Sequence, residues 1–207
     1  MNRLKKEINL GFTEEKFVNG IHMCYIYNDE KERRKIMSHY IKSGLLNGER
    51  VAYFADIATK DDINDYVNNL GCELPANIEK DQLVLTYAVN TYCPSGEFKP
   101  QQMTDTLINF YNDTIEKGFS LSRVTGEMSW ALNNNIHGKE RLVEYECRLN
   151  ILFEDYPVTA ICQYDANKFD GGTLFKILNV HPLMVVRGQI VYNPYYIQPQ
   201  EFLAKYL

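Results

Sequence analysis

The sequence predicts an α/β fold of three layers: a mainly parallel sheet with helices on both faces and a β-rich C-terminal end. Three observations lead there. Short apolar runs alternate with amphipathic stretches along most of the chain, the order expected of strands joined by crossover helices. The first run, Ile21-His22-Met23-Cys24-Tyr25-Ile26-Tyr27, has apolar or aromatic residues at both parities, as a strand covered on both sides requires. The 207 residues show no internal repeat or linker, and with 45% apolar content they suit a single domain, 1–207, with a sizeable core.

In chain order, residues 1–17 read as a lead-in arm with a short helical turn at 13–17. Strand one covers about 21–27. Asn28 or Asp29 then caps a helix whose first turn is acidic, where the helix dipole favours negative charge. Ile36, Tyr40, Ile41 and Leu45 follow at helical spacing, and Gly44 to Gly48 closes the helix. A second strand is expected at 49–56, a polar helix at 59–70 stopped by Gly71, and a third strand at 82–88. Residues 90–100 read as one long irregular piece, a lid or a plain surface loop. A helix at 101–117 ends at Gly118. Strand four, 120–125, runs into Gly126–Trp130, which holds the only Trp. A helix at 138–155 carries Leu142, Tyr145, Cys147, Leu149 and Leu152, and strand five covers 159–165. Two more strands are expected at 178–187 and 189–193 around a tight Arg187-Gly188-Gln189 turn. The tail, 194–207, ends in a short helix begun by Pro199.

Composition excludes several classes of function. Net charge is −5, and the densest basic run, Lys31 to Lys35, is flanked or broken by Asp29, Glu30 and Glu32. Direct nucleic-acid binding is therefore not expected, because phosphate contacts need clustered Lys and Arg. No window reaches the roughly 20 apolar residues of a membrane span, and Met1 to Glu7 does not lead into a signal-peptide core. Five cysteines without a CxxC pair suit reduced thiols and a cytoplasmic location.

In open parallel sheets ligands sit beyond the carboxyl ends of the strands. Those ends gather Tyr25, Tyr27, Asn28, Arg123, Glu127, Trp130, Gln163, Tyr164 and Asp165 as candidate ligand contacts for a small molecule. For Arg123 the favoured alternative is an internal ion pair, with Glu127 as a partner. The junction after strand one is where a nucleotide's phosphates would dock. It offers Asn28, Asp29 and Glu30, and neither GxxxxGK[ST] nor GxGxxG occurs in the chain. Like charges about 4 Å apart repel by about 4 kcal/mol at an effective dielectric near 20. His22 and Cys24 share one strand face and, with Cys162 if strand five is adjacent, are the metal ligands should a metal bind. A structural role for the pair is favoured, and no cofactor is expected. His181 before Pro182 reads as a core histidine. No nucleophile–base pair is evident, so a non-catalytic chain is expected, with a metal-dependent enzyme using His22 and Cys24, or an interaction adaptor presenting Tyr192, Tyr195, Tyr196 and the terminal helix, as the alternatives.

An ordered set of motifs carries a resemblance over about residues 18–205. It comprises His22, Cys24 and Tyr25 to Tyr27 after Gly20; Gly44-Leu45-x-x-Gly48-Glu49; Arg123-x-x-Gly126-Glu127-Met128-x-Trp130; Tyr145-Glu146; Cys162-x-Tyr164-Asp165; and His181-Pro182. The chain resembles the MEDS domain, the methanogen/methylotroph sensory domain named in part for a dichloromethane-responsive regulator. The resemblance implies a RecA/KaiC-like fold without the phosphate-binding loop, and a non-catalytic role in signal transduction and transcription regulation. It also implies a small organic ligand, with hydrocarbon derivatives proposed. Many such domains are fused to DNA-binding or histidine-kinase domains. No output domain is recognisable here, so signalling through a partner protein or a homo-oligomer is expected.

Overall fold

The computed structural model describes residues 5–56, 69, 71 and 73–206; the helix expected at 59–70 falls outside them. A hairpin of β1 (Glu7–Asn9) and β2 (Lys16–Val18) stands where a helical turn at 13–17 was expected. Its register places Ile8 opposite Phe17, and Ile8 is buried. The apolar residue is satisfied by cross-strand packing, which a lone helical turn could not provide.

Among the described residues, the main sheet has seven strands. They are β3 (His22–Tyr27), β4 (Arg50–Ala55), β5 (Leu83–Tyr87), β6 (Ser122–Glu127), β7 (Val158–Asp165), β8 (Leu183–Val186) and β9 (Gln189–Tyr192). Their spatial order is β5-β4-β6-β7-β3-β8-β9, with parallel pairing throughout except for the last pair, β8 and β9. The expected mainly parallel sheet with a β-rich C-terminal end is present. β3 lies in the interior between β7 and β8, with Cys24 opposite Cys162. Its first four residues are all buried, which explains why apolar side chains occupy both parities.

Helix α1 (Glu30–Leu46) covers one face. Asp29 is its N-cap, with a carboxylate oxygen accepting from Lys31 N at 2.8 Å and Glu32 N at 3.3 Å. Ile36, Met37 and Tyr40 pack with Ile8 and Leu10 of the hairpin region on Met23, Tyr25 and Ile161. Gly44 lies inside the helix, where a Cβ would meet the Arg123 side chain at 2.9 Å; that close approach explains a residue with poor helix propensity there.

The opposite face is covered by α3 (Pro100–Glu116), α4 (Leu142–Asp155) and α5 (Gly171–Val180), with Met103, Leu107, Tyr145, Leu149, Phe153 and Ile177 in one core cluster with Cys24, Val124, Cys162 and Tyr164. Between β5 and α3, residues 90–100 are less irregular than expected. A short helix, α2 (Ala88–Tyr92), continues directly from β5, and Phe98 is buried with its N–H donating to His137 O at 2.8 Å. The segment is pinned into the core, which argues against a lid. Strand β6 runs two residues beyond the expected 120–125 to include Gly126 and Glu127; a Cβ at 126 would lie 2.2 Å from the Tyr92 hydroxyl. A 3₁₀ turn at Ser129–Leu132 then seats Trp130.

One element corrects the sequence reading outright. Residues 171–180 form α5, so the strand expected at 178–187 begins only at Leu183. Asp170 caps this helix by accepting from Thr173 N at 2.9 Å, and the Gly171-Gly172 pair sits in its first turn, where it imitates a loop signal. The turn between β8 and β9 is as tight as expected, with Arg187 and Gly188 both at positive φ. Helix α6 (Pro199–Tyr206) docks Phe202 against Cys147 and Val180.

Candidate functional site

The two faces of the sheet divide the candidate ligand residues into groups that do not meet. Arg123, Glu127, Gln163, Tyr25 and Tyr27 lie on the α1 face, whereas Trp130, Tyr164, His22, Cys24 and Cys162 lie on the α4 face. Side-chain alternation along each strand imposes this division.

On the α1 face, at the carboxyl ends of the strands, Arg33 organises the rim. Its Nη1 donates to Tyr53 Oη at 3.0 Å, Glu127 Oε1 at 3.1 Å and Gln163 Oε1 at 3.0 Å. Nε and Nη2 hold Glu30 bidentately, each at 2.6 Å. The Tyr53 hydroxyl also donates to Glu127, and Asp56 N donates to its other oxygen at 3.3 Å. Gln163 Nε2 passes the chain to Thr125 Oγ1 at 2.8 Å. Arg33 is only 1% exposed, and its guanidinium lies 5.4 Å from the Tyr27 ring centre. Beside the α1 N-terminus, an internal cation is thus bonded to carboxylates. Asn28 and Asp165 lie beside it; Asn28 O accepts from Asn167 Nδ2, and Asp165 packs near Lys168.

Arg123 is not part of that rim. It points along α1 toward the opposite end of the sheet, holding Glu49 bidentately at 2.6 and 2.7 Å and donating to Tyr40 O and Asn9 O. The ion-pair alternative had named Glu127 as a partner; the observed partner is Glu49, and Glu127 belongs to Arg33. Tyr25 is buried with its ring 5.7 Å from that of Tyr27. Trp130 is buried in an aromatic cluster, stacked on Tyr92 at 5.0 Å and against Phe98 at 4.7 Å.

On the α4 face a second polar cluster sits inside the apolar core. Glu146 Oε1 accepts from the Tyr164 hydroxyl at 2.6 Å. Its Oε2 lies 3.1 Å from His22 Nε2, 3.4 Å from His181 Nε2 and 3.3 Å from Cys162 Sγ. The two imidazole rings are 4.1 Å apart between centres. Burial, and then His181, push His22 below its ordinary pKa, while burial raises the Cys162 thiol well above its own. Ligand atoms of His22, Glu146, Cys162 and His181 all lie within 4.8 Å of one another. Cys24 shares their face, but its thiol is turned to Leu183 O at 3.8 Å. Glu146 and His181 therefore stand where strand parity had pointed to Cys24. Arg33, read within the Lys31–Lys35 run as part of a solvated helix face, is buried, and Tyr53 and Asn150 were not among the candidate residues.

A cleft of about 510 Å³ opens beside this second cluster, at the amino ends of β3 and β8. Phe17 and Val18 of the hairpin, Ile21, Phe153, Leu183, Tyr192 and Tyr196 form its walls, and Glu15, Lys16, His22 and Asn150 its polar lining. This is the size and make-up of a small-molecule site, at the end of the sheet opposite to the one expected.

Comparison with known proteins places the chain. The family model described as MEthanogen/methylotroph, DcmR Sensory domain matches residues 21–182. The transcriptional repressor DcmR of Methylorubrum extorquens is 24% identical over 161 residues, which is 77% of this chain and 57% of that protein's length. Among solved structures, the flagellar accessory protein FlaH from Methanocaldococcus jannaschii superposes with a TM-score of 0.60 at 12% identity, covering 90% of this chain and 84% of that one. The KaiC-like protein PH0186 from Pyrococcus horikoshii gives 0.59 at 13% identity, covering 87% and 80%. These likenesses show a RecA/KaiC-like fold, and the family match over most of the chain makes it a member of the MEDS sensory-domain family.

Proposed function

We propose that this MEDS domain is a non-catalytic sensor that takes a small, largely apolar organic molecule into the cleft between the N-terminal hairpin, α4 and the amino ends of β3 and β8. The cleft itself carries the reading: about 510 Å³, walled mostly by aromatic and aliphatic side chains, with the exposed Glu15 and Lys16 among its polar lining. The Arg33–Glu127 network supports the same reading from the other end of the sheet, because the buried cation there is already bonded to carboxylates and Asp29 takes the Lys31 and Glu32 amides. Tyr27, Asn28, Glu127, Gln163 and Asp165 then serve as framework of a closed rim.

The relative named as a transcriptional repressor supports a regulatory output, and the chain spans 57% of that relative's length. This domain's net charge is −5, so the DNA-directed step is assigned away from its own surface, with a partner protein or an oligomer as the proposed route. No helix among the described residues is long and apolar enough to cross a membrane, and the four described cysteines are free thiols, which supports work in the cytoplasm.

Mass spectrometry of small molecules carried through native purification tests the ligand claim. A bound organic compound is expected with the wild type and absent from Ile21→Trp, which adds bulk to the cleft wall. Carriage of the same compound by Ile21→Trp would move the site elsewhere.

A further inference from the structure

We propose that His22, Glu146, Cys162 and His181 form a buried site for one tetrahedrally coordinated divalent metal ion of the zinc class. The inference does not depend on what fills the cleft.

The argument begins with lone pairs. Asn150 Nδ2 donates to Val180 O at 2.7 Å, which turns its Oδ1 toward His22 Nδ1 at 3.1 Å. An amide oxygen only accepts, so Nδ1 carries the proton. His181 Nδ1 faces Ile177 O at 2.8 Å, and a carbonyl likewise only accepts. In both neutral imidazoles the bare nitrogen is therefore Nε2, and both Nε2 atoms converge on Glu146 Oε2. His181 Nε2 is fully buried and has no hydrogen-bond partner among the described residues. Three electron pairs thus meet, with the single thiol proton of Cys162 between them. Buried acceptors facing one another without donors are unfavourable, and a cation at their centre resolves all of them.

The geometry fits such a cation. With metal–N and metal–O bonds near 2.0–2.2 Å and metal–S near 2.3 Å, the edges of a tetrahedron are about 3.3–3.6 Å. Four of the six donor separations are 3.1 Å for His22–Glu146, 3.4 Å for His181–Glu146, 3.3 Å for Cys162–Glu146 and 3.5 Å for Cys162–His22, and the two from His181 to His22 and Cys162 lie within 4.8 Å, so a bound ion would draw the set slightly together. Charge closes too: a divalent ion with one carboxylate, one thiolate and two neutral imidazoles is neutral, as a site buried on all sides requires. An N₂OS donor set in tetrahedral array selects zinc over the hard cations. The outer partners are those of a built metal site: Asn150 and Ile177 O orient the imidazoles, and the Tyr164 hydroxyl holds the second Glu146 oxygen at 2.6 Å. Four ligands from β3, α4, β7 and the end of α5 leave no open position. The ion is accordingly a structural clasp between sheet and helices.

The test uses untagged full-length chain stripped with a chelator, then titrated with Zn²⁺ or Co²⁺. Expected are one equivalent per chain, a rise in Tm on loading, and a Co²⁺ spectrum with tetrahedral visible bands plus a near-ultraviolet thiolate band. Cys162→Ser should lose the thiolate band, His181→Gln should weaken binding by roughly tenfold or more, and Cys24→Ser should leave the spectrum unchanged. Should the ligand variants not fold, X-ray absorption of the metal-loaded wild type must show one sulfur with light N/O neighbours. No stoichiometric uptake by folded wild type, a Co²⁺ spectrum without a thiolate band, or a thiolate band that follows Cys24 rather than Cys162 would overturn the proposal. The cluster would then be a buried hydrogen-bonded network with no ion.

Discussion

Replacing Arg33 by Leu should be among the most damaging single changes in the chain. The two carboxylates it holds differ in what they lose. Glu30 has a side chain 47% exposed and returns to water, so that pair contributes within the ~0–1 kcal/mol of surface ion pairs. The Glu127 side chain is only 7% exposed and would remain inside after losing the Arg33 cation. Removing one partner of a buried pair costs about 3–5 kcal/mol, because the other charge stays desolvated. For a chain of this size each kcal/mol moves Tm by roughly 2–4 °C, so Arg33→Leu should lower Tm by roughly 6–20 °C. Urea unfolding of Arg33→Leu, Glu127→Gln and the double variant provides the assay. Neutralising Glu127 removes the stranded charge, so the double variant should recover about 1–3 kcal/mol relative to the sum of the singles. Strict additivity would refute the claim that Arg33 is held there by Glu127.

Other consequences can be checked independently. Gly126→Ala places a Cβ 2.2 Å from the Tyr92 hydroxyl and should cost about 1–3 kcal/mol in chemical unfolding, with part of the loss recovered in combination with Tyr92→Phe. Partial burial works to raise the Glu30 carboxyl, but hydrogen bonds from Arg33 and Arg34 outweigh it and hold its pKa below the ordinary value. A depressed folded pKa gives stability that is present above the unfolded value, near about 4.3, and is lost as pH falls through the folded value. Glu30→Gln should therefore flatten the acid limb of the stability–pH curve and leave its alkaline side unchanged. Burial pushes the Cys93 and Cys147 thiols up to about 11, so a thiol reagent at neutral pH should reach them only after unfolding.

The layers of the fold were legible because period and punctuation agree in most elements. β3 is apolar at both parities, Asp29 caps α1, Pro100 opens α3, and Arg187-Gly188 turns the last hairpin. Helix α5 was obscured by Gly171-Gly172 in its first turn, although Asp170 with Thr173 three residues on was an available capping signal. The N-terminal hairpin was illegible because its strands are three residues each, too short to show alternation. The sites were harder to read. Arg33 stands in a charged run that resembles a solvated helix face, and only the tertiary position of α1 turns it inward to Tyr53, Glu127 and Gln163. Glu146 and His181 are 35 positions apart and meet only through the packing of α4 against β7 and the end of α5. Glu146 is one of two acids, with Glu144, within residues 142–153 of a helix that also carries Arg148 and Asn150, so its spacing alone did not mark it as buried.

A single thermal-shift experiment on the untagged chain tests the central claim of a sensor that uses an organic ligand and no nucleotide. Small halogenated and methylated hydrocarbons are titrated beside Mg-ATP and Mg-GTP, on the wild type and on Ile21→Trp. The account predicts a saturable rise in Tm with an organic compound, absent in Ile21→Trp, and no shift with either nucleotide. A saturable shift with Mg-ATP that Ile21→Trp retains, and no response to the organic compounds, would contradict it.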